Sequence, residues 1–538
     1  MMVRAPRALP SLALLAAVAA LAPGRAGAQA PVPGLGELPT GSFLDRHFSL
    51  KGYLRFRGDV MDDFDLNRGP TPSTGQPIFP LPASDPSGVL TSANMRLRLD
   101  PTVNIGWGVS VHARIDVLDN LVLGSTPDGL PANPYTPTSS ASTLAAAPES
   151  SVRVKRAWGE VLFPFGVLSA GRMGALMSWG TGFFVSSGNC IDCDLGDSGD
   201  RVAFTLPLLR HMWAFAFDFG ASGPTSASLR WDAQPFNLDQ RDDVRSYALM
   251  FARYDTPEVI ERYRRAGRTV IQYGLLASMR TQEYDIPSYY LSGDRSQSYG
   301  PEQYVRRELL AFAADLWFGL RRGPISFDLE AATVIGRTDN VSLQPGTDSL
   351  QRVTSRQFGG VSRLTYALPR IRLDLELELG VASGDSAPGF GVRAPLSQLT
   401  AEPGDLDGPQ LRLPSDTTVD NFRFNPDYHV DLILWRRIIG TVTDAFYARP
   451  SVRWQPLHGL ALEGTLISST ALEASSTPSG DRSLGVELDL GASYRLELGF
   501  SVHLAYGVLF PLSGLDNRSL GLKPEPAHTL HAILAYSL

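Results

Sequence analysis

The chain has 538 residues, of which 43% are hydrophobic and 19% charged, with two cysteines and a formal net charge of −7. The small net charge and the apolar content exclude an intrinsically disordered chain, and two cysteines exclude a disulfide-stapled scaffold. The acidic balance argues against a nucleic-acid partner, because proteins that bind nucleic acids carry a basic surface.

The N-terminus predicts export. Arg4 and Arg7 precede an apolar run over residues 9–22, and the small residues of 26–28 follow it. This order is typical of a cleaved signal peptide, which we place at residues 1–28. A membrane anchor is the alternative, but it needs roughly 20 apolar residues. Residues 29–45 are rich in Pro and Gly and are expected to form a flexible periplasmic lead-in before a domain over residues 46–538.

Apolar and polar residues alternate through the rest of the chain. Over residues 95–117 the odd positions are largely apolar and the even positions are polar or glycine, with a turn near residues 104–108. This period of two predicts a hairpin of half-buried strands. The pattern recurs over residues 48–56, 271–279, 310–320, 325–335, 371–381, 484–494, 500–510 and 530–538.

Connection lengths decide between a soluble β-sandwich and a membrane barrel. Short turns are expected near residues 166, 321–324, 368–370, 455–459 and 496–499, and long polar loops over residues 120–150, 284–305, 338–352, 384–421, 472–482 and 511–526. Outer-membrane barrels alternate short periplasmic turns with long extracellular loops in this way. The sequence therefore predicts an all-β fold, a single transmembrane antiparallel β-barrel of about 18 strands (alternatively 16), in the outer membrane of a Gram-negative bacterium.

The last strand carries a further signal. Leu530, Leu534 and Tyr536 alternate with other residues up to the final Leu538. This resembles the C-terminal signal by which the barrel-assembly machinery recognises outer-membrane proteins, although that signal normally ends in Phe or Trp. The resemblance implies the barrel-assembly machinery as a partner during biogenesis, and the predicted barrel implies outer-membrane lipid as a second partner.

Three segments resemble known barrels. Residues 151–184 read SVRVKRAWGEVLFPFGVLSAGRMGALMSWGTGFF and resemble a strand-turn-strand element of porin-like barrels, distantly similar to the alginate-export type. Residues 188–201 (GNCIDCDLGDSGDR) and 421–456 look like an uncharacterised outer-membrane β-barrel family of myxobacteria. The resemblance implies a fold and a cellular location but no substrate.

Cys190 and Cys193 form a C-x-x-C pair among four aspartates, Asp192, Asp194, Asp197 and Asp200. In an exported protein a local disulfide is the expected outcome, with a metal site or redox function as alternatives. A loop pinned by a disulfide could bring the four carboxylates together around Ca²⁺, although the spacing is not that of an EF-hand. The alternative is a solvated acidic loop, and no other cofactor is expected.

The charged faces of the strands are expected to line the lumen, because an Arg facing lipid at the membrane midplane costs roughly 2–4 kcal/mol. They form either a selectivity lining or cross-strand pairs that stiffen the wall. The acidic residues outnumber the basic ones, which predicts a weak preference for cations. The expected pore-lining residues are Arg96, Arg98, Arg114, Asp116, Arg280, Asp315, Asp328, Glu330, Arg372, Asp374, Glu376, Glu378, Glu487, Asp489 and Arg495.

The favoured function is a porin-like channel for passive passage of small hydrophilic solutes, or of a narrower substrate class. The alternative is a non-conducting surface barrel whose loops at 120–150 and 384–421 bind a partner or a polysaccharide. No nucleophile–base motif is recognisable around the eight histidines, so an enzyme is not expected. The sequence leaves the oligomeric state open.

Overall fold

A computed structural model describes residues 47–73, 75–81, 88–122, 152–174, 179–221, 223, 240–286, 304–342, 351–392, 402–408, 410–411 and 414–538. Its strands, in chain order, are β1 (Phe48–Asp62), β2 (Leu90–Asn104), β3 (Val109–Val122), β4 (Val152–Phe163), β5 (Gly166–Gly174), β6 (Ser198–Leu208), β7 (His211–Gly220), β8 (Val244–Arg253), β9 (Val270–Asp285), β10 (Val305–Arg322), β11 (Ile325–Thr338), β12 (Val353–Leu368), β13 (Leu373–Ala382), β14 (Ala445–Leu457), β15 (Leu460–Ala471), β16 (Ser483–Arg495), β17 (Phe500–Pro511) and β18 (Ala527–Ser537). The predicted signal peptide and lead-in lie outside the described residues.

The strands form one closed antiparallel sheet of 18 strands, in which each strand pairs with its neighbour in sequence and β1 pairs with β18. Closure runs through ten residue pairs, from Tyr53 opposite Ser537 to Asp62 opposite His528. Closing the sheet removes its edges, so every strand finds hydrogen-bond partners on both sides. The predicted fold and the strand number of 18 are confirmed.

Connections of different length separate the two ends of the barrel. Seven of the eight turns at one end have only two or four residues, whereas the nine loops at the other end have eleven or more. The exception at the short-turn end is the 16-residue connection between β8 and β9, which contains helix α1 (Pro257–Arg265). The predicted alternation of short turns and long loops is confirmed, but α1 was not predicted. Among the described residues, no helix is both long and apolar enough to cross a membrane.

The two faces of the strands differ as the alternation predicts. Large apolar side chains on the outer face are exposed, such as Phe215 (50%), Leu316 (59%) and Leu490 (51%). An exposed apolar belt around a closed barrel is the surface that lipid covers. The inner face carries most of the charged strand residues, and many of them are buried because loops fold into the lumen.

The largest buried cluster lies inside the barrel and is supplied mainly by one loop. The connection between β13 and β14, here loop L7, covers residues 383–444, and its C-terminal part contains a short π-helix (Leu434–Ile439). The sequence analysis ended this loop at residue 421. It continues to residue 444 because the apolar side chains of residues 422–442 pack inside the lumen rather than in the barrel wall.

Candidate constriction and passage

Loop L3, the connection between β5 and β6, is described over residues 179–197 and crosses the lumen. At one end Trp179 lies against Gly274 of β9, where a Cβ atom would come within 2.3 Å of the indole. The Trp179 ring also meets Trp317 of β10 edge-on at 6.4 Å. Glu330 of β11 accepts a hydrogen bond from the backbone N–H of Thr181. This end of L3 is therefore fixed to the β9–β11 wall.

The other end of L3 contains the disulfide between Cys190 and Cys193, whose Cα atoms are 5.1 Å apart. The bonded turn presents main-chain carbonyls to buried arginines of the β1–β2 wall. Arg55 donates to the Ile191 carbonyl at 2.7 Å, and Arg96 donates to the Cys193 carbonyl at 2.8 Å. Both guanidinium groups are fully buried, so the turn and the wall shield each other from water.

Asp194 is the ionic partner of the same arginines. Its carboxylate lies 2.8 Å from Arg57, 3.1 Å from Arg55 and 3.0 Å from Arg96. Burial by itself would raise the pKa of Asp194, but the three guanidinium groups outweigh burial and lower it to about 2. The carboxylate is therefore ionised throughout the neutral range and neutralises part of the buried positive charge.

Asp192 joins L3 to both L7 and the barrel wall. Its carboxylate lies 2.7 Å from Arg436 of L7, 3.2 Å from Arg57 of β1 and 3.4 Å from His531 of β18. Burial opposes its ionisation, but the hydrogen bond with His531 and the charge of Arg436 hold the pKa of Asp192 well below its usual range. The sequence separation of 244 residues between Asp192 and Arg436 shows that this junction forms only in the folded barrel.

The other two aspartates of the predicted calcium cluster point elsewhere. Asp197 accepts the Ser186 backbone N–H at 2.7 Å, and burial raises the pKa of its carboxyl. Asp200 lies on β6 and makes a paired hydrogen bond with Arg172, at 2.8 and 2.9 Å. Because arginines hold three of the four carboxylates, these residues do not converge. No group of three or more His, Cys, Asp or Glu in the described ranges is placed to hold a metal ion.

L7 is anchored by carboxylates that accept its backbone N–H groups. Glu487 of β16 accepts the N–H groups of residues 432, 433 and 434, at 2.8 to 3.1 Å. Asp431 accepts those of Trp435 and Arg436 at the start of the π-helix. Burial raises the pKa of Asp431 to about 6. Glu487 was expected to line the pore, but L7 covers it.

Aromatic side chains join the two loops in the centre of the barrel. Phe183 of L3 packs edge-on against Phe424 of L7 at 4.7 Å and lies 5.8 Å from Phe422. Trp435 is 1% exposed, and its indole N–H donates to the Ser469 hydroxyl of β15 at 2.9 Å. L3 and L7 therefore share one apolar core, which fills the lumen beside the β11–β17 wall.

Seven of the fifteen predicted pore-lining residues form ion pairs with a residue of a neighbouring strand. Arg98 makes a paired hydrogen bond with Asp116 at 2.7 and 2.8 Å, and Arg321 does so with Asp328 at 2.8 Å. Arg96 bonds Asp119, Arg114 bonds Asp100, and Glu378 bonds Arg363 and Tyr447. Glu376 accepts a hydrogen bond from the Thr365 hydroxyl, and Arg280 donates one to the Ser246 hydroxyl. Asp374 is in register with Arg453 of β14. Asp315 is fully buried on β10, and Asp489 is half-buried on β16.

Two of the predicted residues lie at the short-turn rim. Arg372 was expected on a lumen-facing strand, but it precedes β13 in an exposed turn, where its φ of 52° and the hydrogen bond from its N–H to the Pro369 carbonyl end the alternation. Arg495 is the exposed last residue of β16. Both residues therefore lie at the end of the barrel opposite the long loops.

Further charged residues on the described strands face the lumen without having been predicted from the sequence. Register and burial place eight arginines and five acidic residues there: Arg55, Arg57, Arg156, Arg201, Arg321, Arg363, Arg449, Arg453, Asp59, Asp100, Glu160, Asp218 and Glu463. The alternation within their strands could have identified most of them. Their addition removes most of the acid excess on which the predicted cation preference rested.

One sector of the lumen is lined by small side chains. Ala203, Ala216, Ala248 and Ser278 lie side by side on β6, β7, β8 and β9. Their strand neighbours Phe215, Tyr247 and Met279 are exposed on the outer face, so these four residues face inward. All four are nevertheless partly exposed, whereas inward residues of β1 and β18 are buried. The sequence analysis passed over this wall because β7 alternates alanine with aromatic residues, so neither face is charged until Asp218.

A second row of side chains lies next to this wall, toward the long loops. Arg201, Asp218, Ser246 and Arg280 are in register on the same four strands. Arg201 and Asp218 form an ion pair at 2.5 and 2.8 Å, and Arg280 donates to the Ser246 hydroxyl at 3.2 Å. The sector therefore combines small side chains with one partly exposed row of both charges.

No protein-family model matches the chain, and no curated protein matches it. Solved structures do resemble it over 91% of its length. The outer membrane protein OpdK of Pseudomonas aeruginosa matches over 99% of its own chain with 12% identity and a TM-score of 0.43. OccK11 (OpdR) of the same organism matches over 96% with 11% identity and a TM-score of 0.43. A loop-deletion mutant of OmpT, an outer membrane protein of Vibrio cholerae, matches over 99% with 10% identity and a TM-score of 0.36.

The barrel itself defines the class of the protein. A closed antiparallel barrel with an apolar outer belt, a charged inner face, short turns at one end and long loops at the other is the architecture of bacterial outer-membrane proteins. The chain is an outer-membrane β-barrel protein of the Gram-negative type.

Proposed function

We propose that the protein is a porin-like channel and that small hydrophilic solutes pass along the β6–β9 wall. The observation that supports this most is the partly exposed row of Ala203, Ala216, Ala248 and Ser278, which lies away from the β11–β17 wall beside which L3 and L7 fill the lumen. Four neighbouring strands span about 14 Å, since adjacent strands are about 4.8 Å apart. Small side chains along such a wall leave room for water and solute.

The polar row above this wall favours hydrophilic solutes over apolar ones. Arg201 and Asp218 keep 27% and 25% of their side chains exposed, so both signs of charge face the passage. Paired opposite charges hydrate a pore without strongly favouring one sign of ion. That the channel passes only a narrower class of these solutes is the finer form of the proposal.

Single-channel conductance of the purified protein in planar bilayers tests the passage directly. We expect discrete steps for the parent protein, and we expect A216W to reduce the step size roughly by half or more, since the indole would project into the passage. The matched control is A277W on β9, which places the same side chain on the outer face. Equal conductance in the two variants would place the passage elsewhere in the lumen.

The second candidate function is a non-conducting barrel whose loops bind a partner or a polysaccharide. The shared core of L3 and L7 favours it, because it fills much of the lumen. Part of the segment 384–421 and most of the segment 120–150 lie outside the described residues. Folded, inserted protein that shows no conductance steps would support this candidate against the channel.

We also propose the finer expectations of the sequence analysis. These are processing after residue 28, insertion by the barrel-assembly machinery and kinship with the myxobacterial family. Outward placement of Leu530, Leu534 and Tyr536 on β18 supports the second of them. Calcium binding by the L3 aspartates has no support from their contacts, and calorimetry with Ca²⁺ tests it.

A further inference from the structure

Helix α1 interrupts the short-turn end of the barrel, where other connections have at most four residues. It has acidic Glu258 in its first turn and basic residues in its last, and none of its residues is buried. Arg264 donates to the Gly323 carbonyl at 2.8 Å and so ties the helix to the turn between β10 and β11. The helix is therefore held at the rim with its polar side chains in solvent.

Positive charge is concentrated in the same part of the rim. The four consecutive connections from β6 to β13, with the strand ends that flank them, contain nine arginines against three acidic residues. The arginines are Arg210, Arg253, Arg262, Arg264, Arg265, Arg268, Arg322, Arg370 and Arg372, and the acidic residues are Asp255, Glu258 and Glu261. The other four connections at this end, with their flanking strand ends, contain one arginine, Arg495, and one acidic residue, Glu497. A chain of net charge −7 thus carries a local excess of six positive charges on half of one rim.

The membrane boundary lies beside these arginines. Outward-facing aromatic residues line the same ends of β7, β8 and β9, where Trp213 and Phe251 are 4.6 Å apart and Phe251 and Tyr273 are 6.2 Å apart. Phe318 and Phe327 continue this girdle on β10 and β11 at 6.5 Å. Aromatic girdles mark the level where acyl chains give way to headgroups. The arginines just beyond the girdle are therefore at headgroup level.

The helix has the residue pattern of an interfacial element. Val259, Ile260 and Tyr263 are half-buried, whereas Arg262, Arg265 and Arg268 are exposed. Arg268 lies 6.0 Å from the centre of the Tyr263 ring. An amphipathic helix with arginines on its polar face binds in the membrane interface and is attracted to anionic headgroups.

We propose that α1 and the neighbouring turns form a binding surface for the phosphate groups of anionic phospholipids in the periplasmic leaflet. This rests on the orientation of the proposed outer-membrane channel, in which the short turns are periplasmic. The surface would hold the β6–β13 half of the rim against the leaflet. A lipid headgroup accounts for both observations, because its phosphate attracts the arginines and it lies at the level that the aromatic girdle marks.

Native mass spectrometry of the full-length protein, purified from nanodiscs of equal phosphatidylglycerol and phosphatidylcholine, tests the proposal. We expect the parent protein to retain phosphatidylglycerol at least about threefold over phosphatidylcholine, since each arginine near a charged surface adds to the attraction. The variant R262Q/R265Q/R268Q should lose this enrichment. The matched control is R245Q/R337Q/R356Q, which removes three exposed arginines from the outer face at the long-loop end and should retain it.

Three results would overturn the proposal. The first is equal retention of both lipids by the parent protein, and the second is unchanged enrichment in R262Q/R265Q/R268Q. The third is that the protein sediments with isolated peptidoglycan in a way that depends on these arginines but does not enrich phosphatidylglycerol, which would assign the surface to the cell wall. Conductance is measured on the same samples and should be equal in both variants. If the folded protein showed no conductance steps but still enriched phosphatidylglycerol, the proposed channel would be refuted and the lipid-binding surface would remain supported.

Discussion

Single carboxylates decide how the loops are held inside this barrel. Asp194 and Asp192 each contact several arginines, and two of those arginines, Arg55 and Arg96, are fully buried. A buried guanidinium without an anion is strongly unfavourable, so the loop carboxylates and the wall arginines depend on each other. An acidic loop that sequence reasoning treats as either a calcium site or a solvated surface thus serves as counter-charge for the wall.

The first prediction concerns Asp194. We expect D194N to lower the free energy of unfolding by about 1–3 kcal/mol at neutral pH, because three arginines lose one counter-charge in a site that is only partly shielded from water. The folded pKa of Asp194 is lowered, so its contribution is present above the unfolded value near pH 4 and is lost as pH falls toward 2. Thermal unfolding followed by gel mobility measures the effect.

D200N is the matched control for that substitution. Asp200 also pairs with an arginine, but both residues are substantially exposed, so little change is expected. If D194N and D200N lowered the free energy of unfolding equally, burial of the arginines around Asp194 would not increase its contribution to stability.

The second prediction concerns Asp444, which ends L7 and is 1% exposed. It accepts hydrogen bonds from the Ser476 hydroxyl and from the Glu473 N–H at 2.8 Å. Burial raises its pKa to about 7, so the folded state holds a proton that the unfolded state releases near pH 4. Stability should therefore fall as pH rises from about 4 through 7, by up to about 4 kcal/mol.

D444N tests this linkage because an amide, like the protonated carboxyl, offers one accepting oxygen and one donating group but has no titrating proton. We expect the unfolding temperature of the parent protein to drop more between pH 5 and pH 8 than that of D444N, in which Asp431, whose pKa burial raises to about 6, still contributes to the drop. A parallel drop in both proteins would assign the pH dependence to other groups.

At the scale of elements, L7 acts as an internal wall rather than as a surface loop. Its π-helix residues Leu434, Trp435, Ile438 and Ile439 are buried, and Asp431 and Glu487 satisfy N–H groups that the helix start leaves without partners. Periodicity alone does not show whether an apolar segment of this length, next to strand-like sequence, forms a strand or a buried helix. Burial in the lumen resolves the ambiguity.

The third prediction concerns Trp435. We expect W435A to lower the free energy of unfolding by about 3–5 kcal/mol and to increase conductance, because removing the indole leaves a cavity in the core of L7 and frees the Ser469 hydroxyl. W454A is the control, since Trp454 is 46% exposed on the outer face of β14. A stable W435A with unchanged conductance would show that L7 does not limit the passage.

At the scale of the whole molecule, the two signs of charge in the lumen come close to balance. The sequence analysis counted more acidic than basic residues, but the arginines of β1, β4, β6, β12 and β14 also face inward. Most of these charges pair with a neighbour at 2.5 to 3.2 Å, as Arg98 does with Asp116 and Arg363 with Glu378. Paired charges stiffen the wall and leave little net field.

The fourth prediction follows from this balance. We expect a reversal potential near zero in a salt gradient, because neither sign dominates the passage. D218N removes the carboxylate of the β6–β9 wall, which is 25% exposed, and should move the reversal potential toward anion preference. E497Q, in an exposed turn between β16 and β17, should leave it unchanged. Strong cation selectivity of the parent protein would contradict this balance of charge and support the cation preference predicted from the sequence.

The alternation of apolar and polar residues determined the barrel, its 18 strands and the short-turn and long-loop ends. Lipid outside and charge inside impose a period of two on every strand, and that period can be read along the chain. Tertiary structure decided the rest. The partners of Asp192, the inward fold of L7 and the exposed alanines of β6–β9 depend on contacts between residues up to several hundred positions apart. Such contacts have no local signal, because which side chains meet in the lumen is set by closure of the barrel and by loop packing.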